Sequence, residues 1–317
     1  SRTRNFILNI LKIVVSLGVL AVILISVDLA HVLELLRQMD WLPFLAALAL
    51  FLSGALIRAY RWGSLVWALG VRVRWLRLVE LYFVGTFFGM FLPTGVGGDA
   101  VKMYELSRDD HKASAAISSV LVDRFTGLFV LFAIALLALI GGYKLVTPQV
   151  RLLIALIFLL SLVAVALLLQ RTWLEAWGRR LRLDRLLGRV KILRELYLSL
   201  HLYGFGALLR ATAASVVWNM ILILGYYLLG RSVGIDLSAW YYFLFVPIVS
   251  VLLVLPSLGG LGIREGATML LFQQVGVSEA RALALAVAYD VTRLVEASIG
   301  AGLYVLQSLL EARQQTG

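Results

Sequence analysis

Leu92-Pro93-Thr94-Gly95-Val96-Gly97-Gly98-Asp99 and Leu255-Pro256-Ser257-Leu258-Gly259-Gly260-Leu261-Gly262-Ile263-Arg264-Glu265 are two versions of one signature, each closing an apolar run. The first is followed by Asp123-Arg124 and the second by Asp290 and Arg293, again within greasy sequence. Proline and glycine break helices and release backbone groups that lipid cannot satisfy. Such backbone survives at membrane depth only when packed in protein or lining a wet cavity. Broken apolar segments at matching places in two halves point to a transporter-type binding site.

Working outward, 62% of the 317 residues are hydrophobic and 15% are charged, with mean hydropathy +0.94. Soluble domains carry roughly 25% charged residues. The composition is that of an all-α polytopic membrane protein, a single membrane domain over residues 1–317 with no sizeable soluble part. The net charge of +11 gathers in clusters between apolar runs, as in cytoplasmic loops, and does not indicate nucleic acid. The chain has no cysteine, which excludes disulfides and thiol chemistry. His31, His111 and His201 lack metal-ligand spacing, so neither metal nor cofactor is expected.

Crossing a core of roughly 30 Å takes about twenty residues. Full crossings are expected at 7–27, 41–62, 112–141, 149–170, 208–231 and 278–310, the run 7–27 being a retained leading helix. Two further stretches, 76–92 and 239–255, end at the signatures. Charge bias decides whether these two cross. Arg58, Arg61, Arg72, Arg74 and Arg77 face no acid over 58–77, and Arg171, Arg179, Arg180, Arg182, Arg185, Arg189, Lys191 and Arg194 outweigh Glu175 and Asp184. Both regions belong on the cytoplasmic side. Residues 28–40, with Arg37 against Asp28, Glu34 and Asp40, and 141–151, with Lys144 and Arg151, belong outside. Every loop falls on its expected side if 76–108 dips in and returns, and 239–276 does the same from the opposite face. The expectation is an inverted repeat, 41–141 and 208–310, each with a re-entrant helical hairpin. The helix 149–170 links them, and both termini are cytoplasmic. Eight plain crossings are the alternative.

Between the repeats, residues 171–200 place Trp173, Trp177, Leu181, Leu186, Val190, Leu193 and Tyr197 at helical spacing opposite arginines. This predicts an amphipathic helix on the inner leaflet, held to anionic lipid.

Each glycine cluster can hand over to a half-helix, about 98–108 and 262–275, whose exposed N–H groups and positive end suit an anion such as phosphate. Lys102 and Arg264 lie near these starts. Asp99 reads equally well as an ordinary N-cap and Glu265 as an ordinary first-turn acid, and the glycines as packing sites. Ionisable groups inside apolar runs usually face a bundle interior in pairs. Asp123 and Arg124, being adjacent, point different ways and should find other partners. Asp290 and Arg293 are spaced to pair, with Glu296 beyond. No G-x-S-x-G, H-E-x-x-H or P-loop occurs, so ATP hydrolysis is excluded and catalysis finds little support.

Arg58-Ala59-Tyr60-Arg61-Trp62, the two signatures and Asp123-Arg124, in this order and spacing, resemble the lysylphosphatidylglycerol synthase transmembrane, flippase-like family over essentially the whole chain. The resemblance implies a prokaryotic protein of the cytoplasmic membrane that moves lipids between leaflets. Members with a soluble aminoacyl-transferase domain carry it after the membrane part. This sequence ends at Gly317, so no lysyl transfer is implied. The expected activity is translocation of a phospholipid or a polyprenyl-phosphate-linked lipid, with Arg58, Arg61, Pro93, Gly97, Gly98, Asp99, Lys102, Asp123, Arg124, Pro256, Gly259, Gly260, Gly262, Arg264, Glu265, Asp290 and Arg293 forming the site. Lys102, Arg124, Arg264 and Arg293 would meet phosphate, and the acids would organise them or carry protons. A membrane transferase acting on a lipid-linked substrate is the runner-up, a non-transporting scaffold the third reading. A homodimer is compatible with the sequence.

Overall fold

A computed structural model describes residues 29–91, 97–108, 113–169, 203–253 and 260–316. The expected leading helix 7–27 and the amphipathic helix 171–200 lie outside the described residues. Within them, regular structure is helical: α1 (Leu29–Arg37), α2 (Trp41–Ala68), α3 (Trp75–Phe91), α4 (Gly97–Arg108), α5 (Ala113–Gly142), α6 (Pro148–Leu169), α7 (Phe205–Ser232), α8 (Ala239–Leu252), α9 (Ile263–Gln273) and α10 (Glu279–Thr316). By length and composition, α2, α5 and α7 are long and apolar enough to cross a membrane.

Local chemistry sets the ends. The Asp40 carboxylate accepts a hydrogen bond from the Leu42 N–H at 3.0 Å, satisfying one of the donors that a helix start leaves open. Pro148 opens α6, where its missing N–H does no harm. α7 closes on Gly234 at φ 76°, with the Ile235 N–H returning to the Gly230 carbonyl at 2.8 Å. That is the glycine-terminated end that left-handed backbone allows.

One difference from the expected spans is informative. α2 runs on to Ala68 instead of stopping near residue 62. Arg58 and Arg61, counted above with the cytoplasmic cations of 58–77 although the expected span already held them, sit well inside this helix, and Arg61 is only 6% exposed. A buried arginine paired with a carboxylate is no longer a loop cation. The loop itself keeps Arg72 and Arg74.

The chain forms two compact units. The first comprises Ser1–Leu56, Val79–Lys102 and Met220–Gly317. In it α10 packs on α9 and α1, and α8 packs on α9. Glycines permit the tightest approaches: a Cβ on Gly98 would overlap the Gly85 carbonyl, and one on Gly300 the Phe83 carbonyl. α4 and α10 thus meet α3 backbone against backbone, as small residues allow between membrane helices.

The second unit comprises Ile57–Leu78 and Met103–Asn219. α5 packs on α6, and Leu65, Val122, Tyr203, Ala207 and Ala211 form a buried cluster. A polar seam runs beside it. Trp62 Nε1 donates to Ser119 at 3.1 Å, Ser118 to the Tyr203 hydroxyl at 3.4 Å, and Asn219 Nδ2 to the Gly127 carbonyl at 3.0 Å. Burial pushes the Tyr203 hydroxyl up to about 12, so it bonds as a neutral group. On α6, Leu152, Leu156, Leu159 and Leu160 stay exposed. Leucines crowded on one helix face suit lipid as their solvent and would be an aggregation liability in water.

Candidate functional site

In the first unit the second signature places its glycines as the sequence suggests. Gly260 has φ 92° and Gly262 φ 80°, conformations costly for any residue with a Cβ. A Cβ at Gly260 would also lie 2.6 Å from Nη2 of Arg264. The turn therefore requires glycine twice over, for its backbone and for room for the guanidinium. α9 begins immediately afterwards, and the Gly266 N–H reaches the Gly262 carbonyl at 3.0 Å.

Arg264, 2% exposed, crosses to α10 and donates through Nη1 to Asp290. Its guanidinium lies 5.1 Å from the ring centre of Tyr289. Tyr289 is stacked on Tyr226 of α7 at 4.5 Å and meets Phe51 of α2 edge-on at 5.3 Å. The charge thus meets the Asp290 carboxylate and the face of Tyr289, an arrangement that strengthens where water is excluded.

Glu265, the residue after Arg264, is 2% exposed. Its second oxygen, Oε2, and the Thr268 hydroxyl are both buried and have no hydrogen-bond partner among the described residues. The two side chains share a face of α9, since residues three apart on a helix are neighbours. Two orphaned oxygens side by side require an explanation in a folded protein. Arg293 and the buried Glu296 extend the charged face of α10.

The first signature builds a different arrangement in the same unit. Asp99, in the first turn of α4, takes Lys102 Nζ at 2.7 Å, both side chains being nearly fully buried. Lys102 also lies 4.7 Å over the Tyr82 ring, and its stem fills the space a Cβ on Gly85 would need. The acid complements the positive end of α4. Here the cation is answered within its own helix, whereas Arg264 is answered from another.

Asp123 and Arg61 meet in the second unit, at 2.7 Å. Arg124, the next residue, is exposed on α5, as adjacency on a helix requires. Arg58 lies 4.1 Å from the ring centre of Trp218. Of the expected site residues, the structure joins Gly260, Arg264, Glu265 and Asp290, and separately Gly98, Asp99 and Lys102. Asp290 bonds across to Arg264, a partner the sequence did not single out. Gly97 opens α4. Pro93, Pro256 and Gly259 lie outside the described residues. The sequence reading missed Tyr226, Tyr289, Thr268 and Tyr82. Tyr289 had a signal, being adjacent to an intramembrane acid; the others are unremarkable aromatic or hydroxyl residues in apolar helices.

A family model described as the lysylphosphatidylglycerol synthase TM region matches residues 9–299. The UPF0104 membrane protein PH1989 of Pyrococcus horikoshii is 23% identical over 306 residues, covering 87% of this chain and 90% of that protein.

Proposed function

The chain belongs to the lysylphosphatidylglycerol synthase TM region family, and from that premise we propose that it is a lipid translocase of the cytoplasmic membrane. Its substrate is a phospholipid or a polyprenyl-phosphate-linked lipid, whose head group enters protein while its tails stay in the bilayer. We read the two signatures as the re-entrant breaks of an inverted repeat, with both termini cytoplasmic.

The observation that carries the reading is the start of α9. A buried arginine bonded to Asp290 and two buried oxygens without partners, Glu265 Oε2 and Thr268 Oγ1, follow a turn that only glycine can make. The N-terminal end of α9 and Arg264 favour a phosphate. The oxygens offer acceptors to a hydroxyl or ammonium of the head group. In this reading phosphate competes with Asp290 for Arg264, while Asp290 and Glu265 exchange a proton as the competition shifts. Asp99, Lys102 and Arg293 line the path.

The test is translocation of fluorescent phospholipid in vesicles containing the purified protein alone. Transport without cosubstrate is expected, which a transferase would not give. Arg264→Gln should suppress it, and Arg264→Lys should recover part, since lysine keeps the charge but not the fork. A stable, folded Arg264→Gln protein moving lipid at the original rate would refute the assignment.

A further inference from the structure

The loop between α2 and α3 forms an open groove of about 540 Å³ lined by Trp67, Gly70, Val71, Arg72, Val73 and Arg74. It is a built feature. The Trp67 indole N–H donates to the Val73 carbonyl at 2.9 Å. Gly70 turns the chain at φ 77°, and Val71 is buried beneath. Tyr60 meets Trp67 edge-on at 6.4 Å and Trp75 at 6.3 Å. All three rings are more than a third exposed. A volume of several hundred Å³ is in the range of small-ligand sites.

Its charge is one-sided. No carboxylate lines the groove. Arg72 and Arg74 are exposed and have no acidic partner among the described residues, whereas their neighbour Arg77 is bonded to Glu105 at 3.1 Å. α3 starts at Trp75, which brings its positive end to the same loop. Exposed Trp and Tyr beside arginines mark the head-group level of a membrane.

We propose that this groove binds an anionic glycerophospholipid of the adjoining leaflet. The phosphate sits between Arg72 and Arg74 and the upper acyl chains lie along Tyr60, Trp67 and Trp75. This is a lipid-holding site separate from the one at Arg264, and it does not depend on the protein being a translocase. Charge complementarity selects the lipid class, and the exposed rings select a membrane lipid over a soluble anion.

Native mass spectrometry of the full chain, titrated with phosphatidylglycerol or phosphatidylcholine, tests it. The original protein should retain phosphatidylglycerol preferentially. Arg72→Gln/Arg74→Gln should lower that affinity about tenfold or more, two interfacial cations being removed, and leave phosphatidylcholine unaffected. Arg210→Gln/Arg281→Gln removes the same charge from exposed positions elsewhere and should change nothing. Arg72→Lys/Arg74→Lys, tested alongside, should keep most of the binding, and thermal midpoints should stay level. An equal loss in both glutamine pairs, no loss in the first, or displacement by millimolar inorganic phosphate as effective as by lipid overturns the proposal.

Discussion

Arg61 holds Asp123 by two parallel hydrogen bonds, Nε to Oδ1 at 2.7 Å and Nη2 to Oδ2 at 3.0 Å. The remaining terminal nitrogen, Nη1, donates to Ser215 at 3.3 Å. One guanidinium thereby ties α2, α5 and α7 together inside the second unit. Such a planar fork is what arginine offers and lysine does not.

Breaking the pair from either side should therefore be costly. Arg61→Gln or Asp123→Asn is expected to destabilise by about 3–5 kcal/mol, because each strands a buried partner. Arg61→Lys should also lose stability, while Arg61→Met with Asp123→Leu should recover much of it. Thermal unfolding in detergent reads all four. An Arg61→Lys protein as stable as the original would show that the fork geometry is irrelevant.

The sequence made the long helices legible because apolar length leaves few other readings: α5 and α6 fall within a residue of the expected spans. It ended α2 near residue 62 instead of at Ala68, and it counted Arg61 among the cytoplasmic cations although a residue far along the chain neutralises it. It marked Asp290 and Arg264 as unusual and showed that Asp290 is spaced to pair with Arg293, but it gave no sign of the bond to Arg264. Spacing along one helix is visible in a sequence, whereas the bond across to α9 depends on how helices dock. Thr268 and Tyr226 carried no signal. Their importance lies in lacking a partner or in stacking on a ring, and both are properties of packing alone.

Gly98 should tolerate no side chain. The atom in the way of a Cβ is the Gly85 carbonyl oxygen, which belongs to a helix backbone and cannot rotate aside. Gly98→Ala is expected to destabilise by about 1–3 kcal/mol through overpacking, with a lowered unfolding midpoint. An unchanged midpoint would mean that α3 and α4 do not approach this closely.

Thr268 separates structure from function by the sign of its effects. Its hydroxyl is buried without a partner, so Thr268→Val removes an unmet polar group at nearly constant shape. Stability should hold or rise, by up to about 1 kcal/mol. If the hydroxyl serves a head group, translocation should fall several-fold in the same protein. A valine variant that is both stabilised and fully active would place the substrate elsewhere.

The inverted repeat stands or falls on sidedness. The chain contains no cysteine, so single cysteines report position without background. Ser107 lies near the end of α4, and Ser238 is exposed immediately before α8. If residues 76–108 dip from the cytoplasmic face and 239–276 from the outer face, Ser107→Cys reacts with an impermeant maleimide only in inside-out vesicles. Ser238→Cys then reacts only in right-side-out ones. The charge argument behind this expectation rests on the loop cations Arg72 and Arg74 and on the arginines of 171–194, since Arg61 is paired and buried. Labelling of both cysteines from one side would leave α3 or α8 as an ordinary crossing. The two signatures would then lie at one membrane face, and the opposed half-helices that the transport reading requires would not exist.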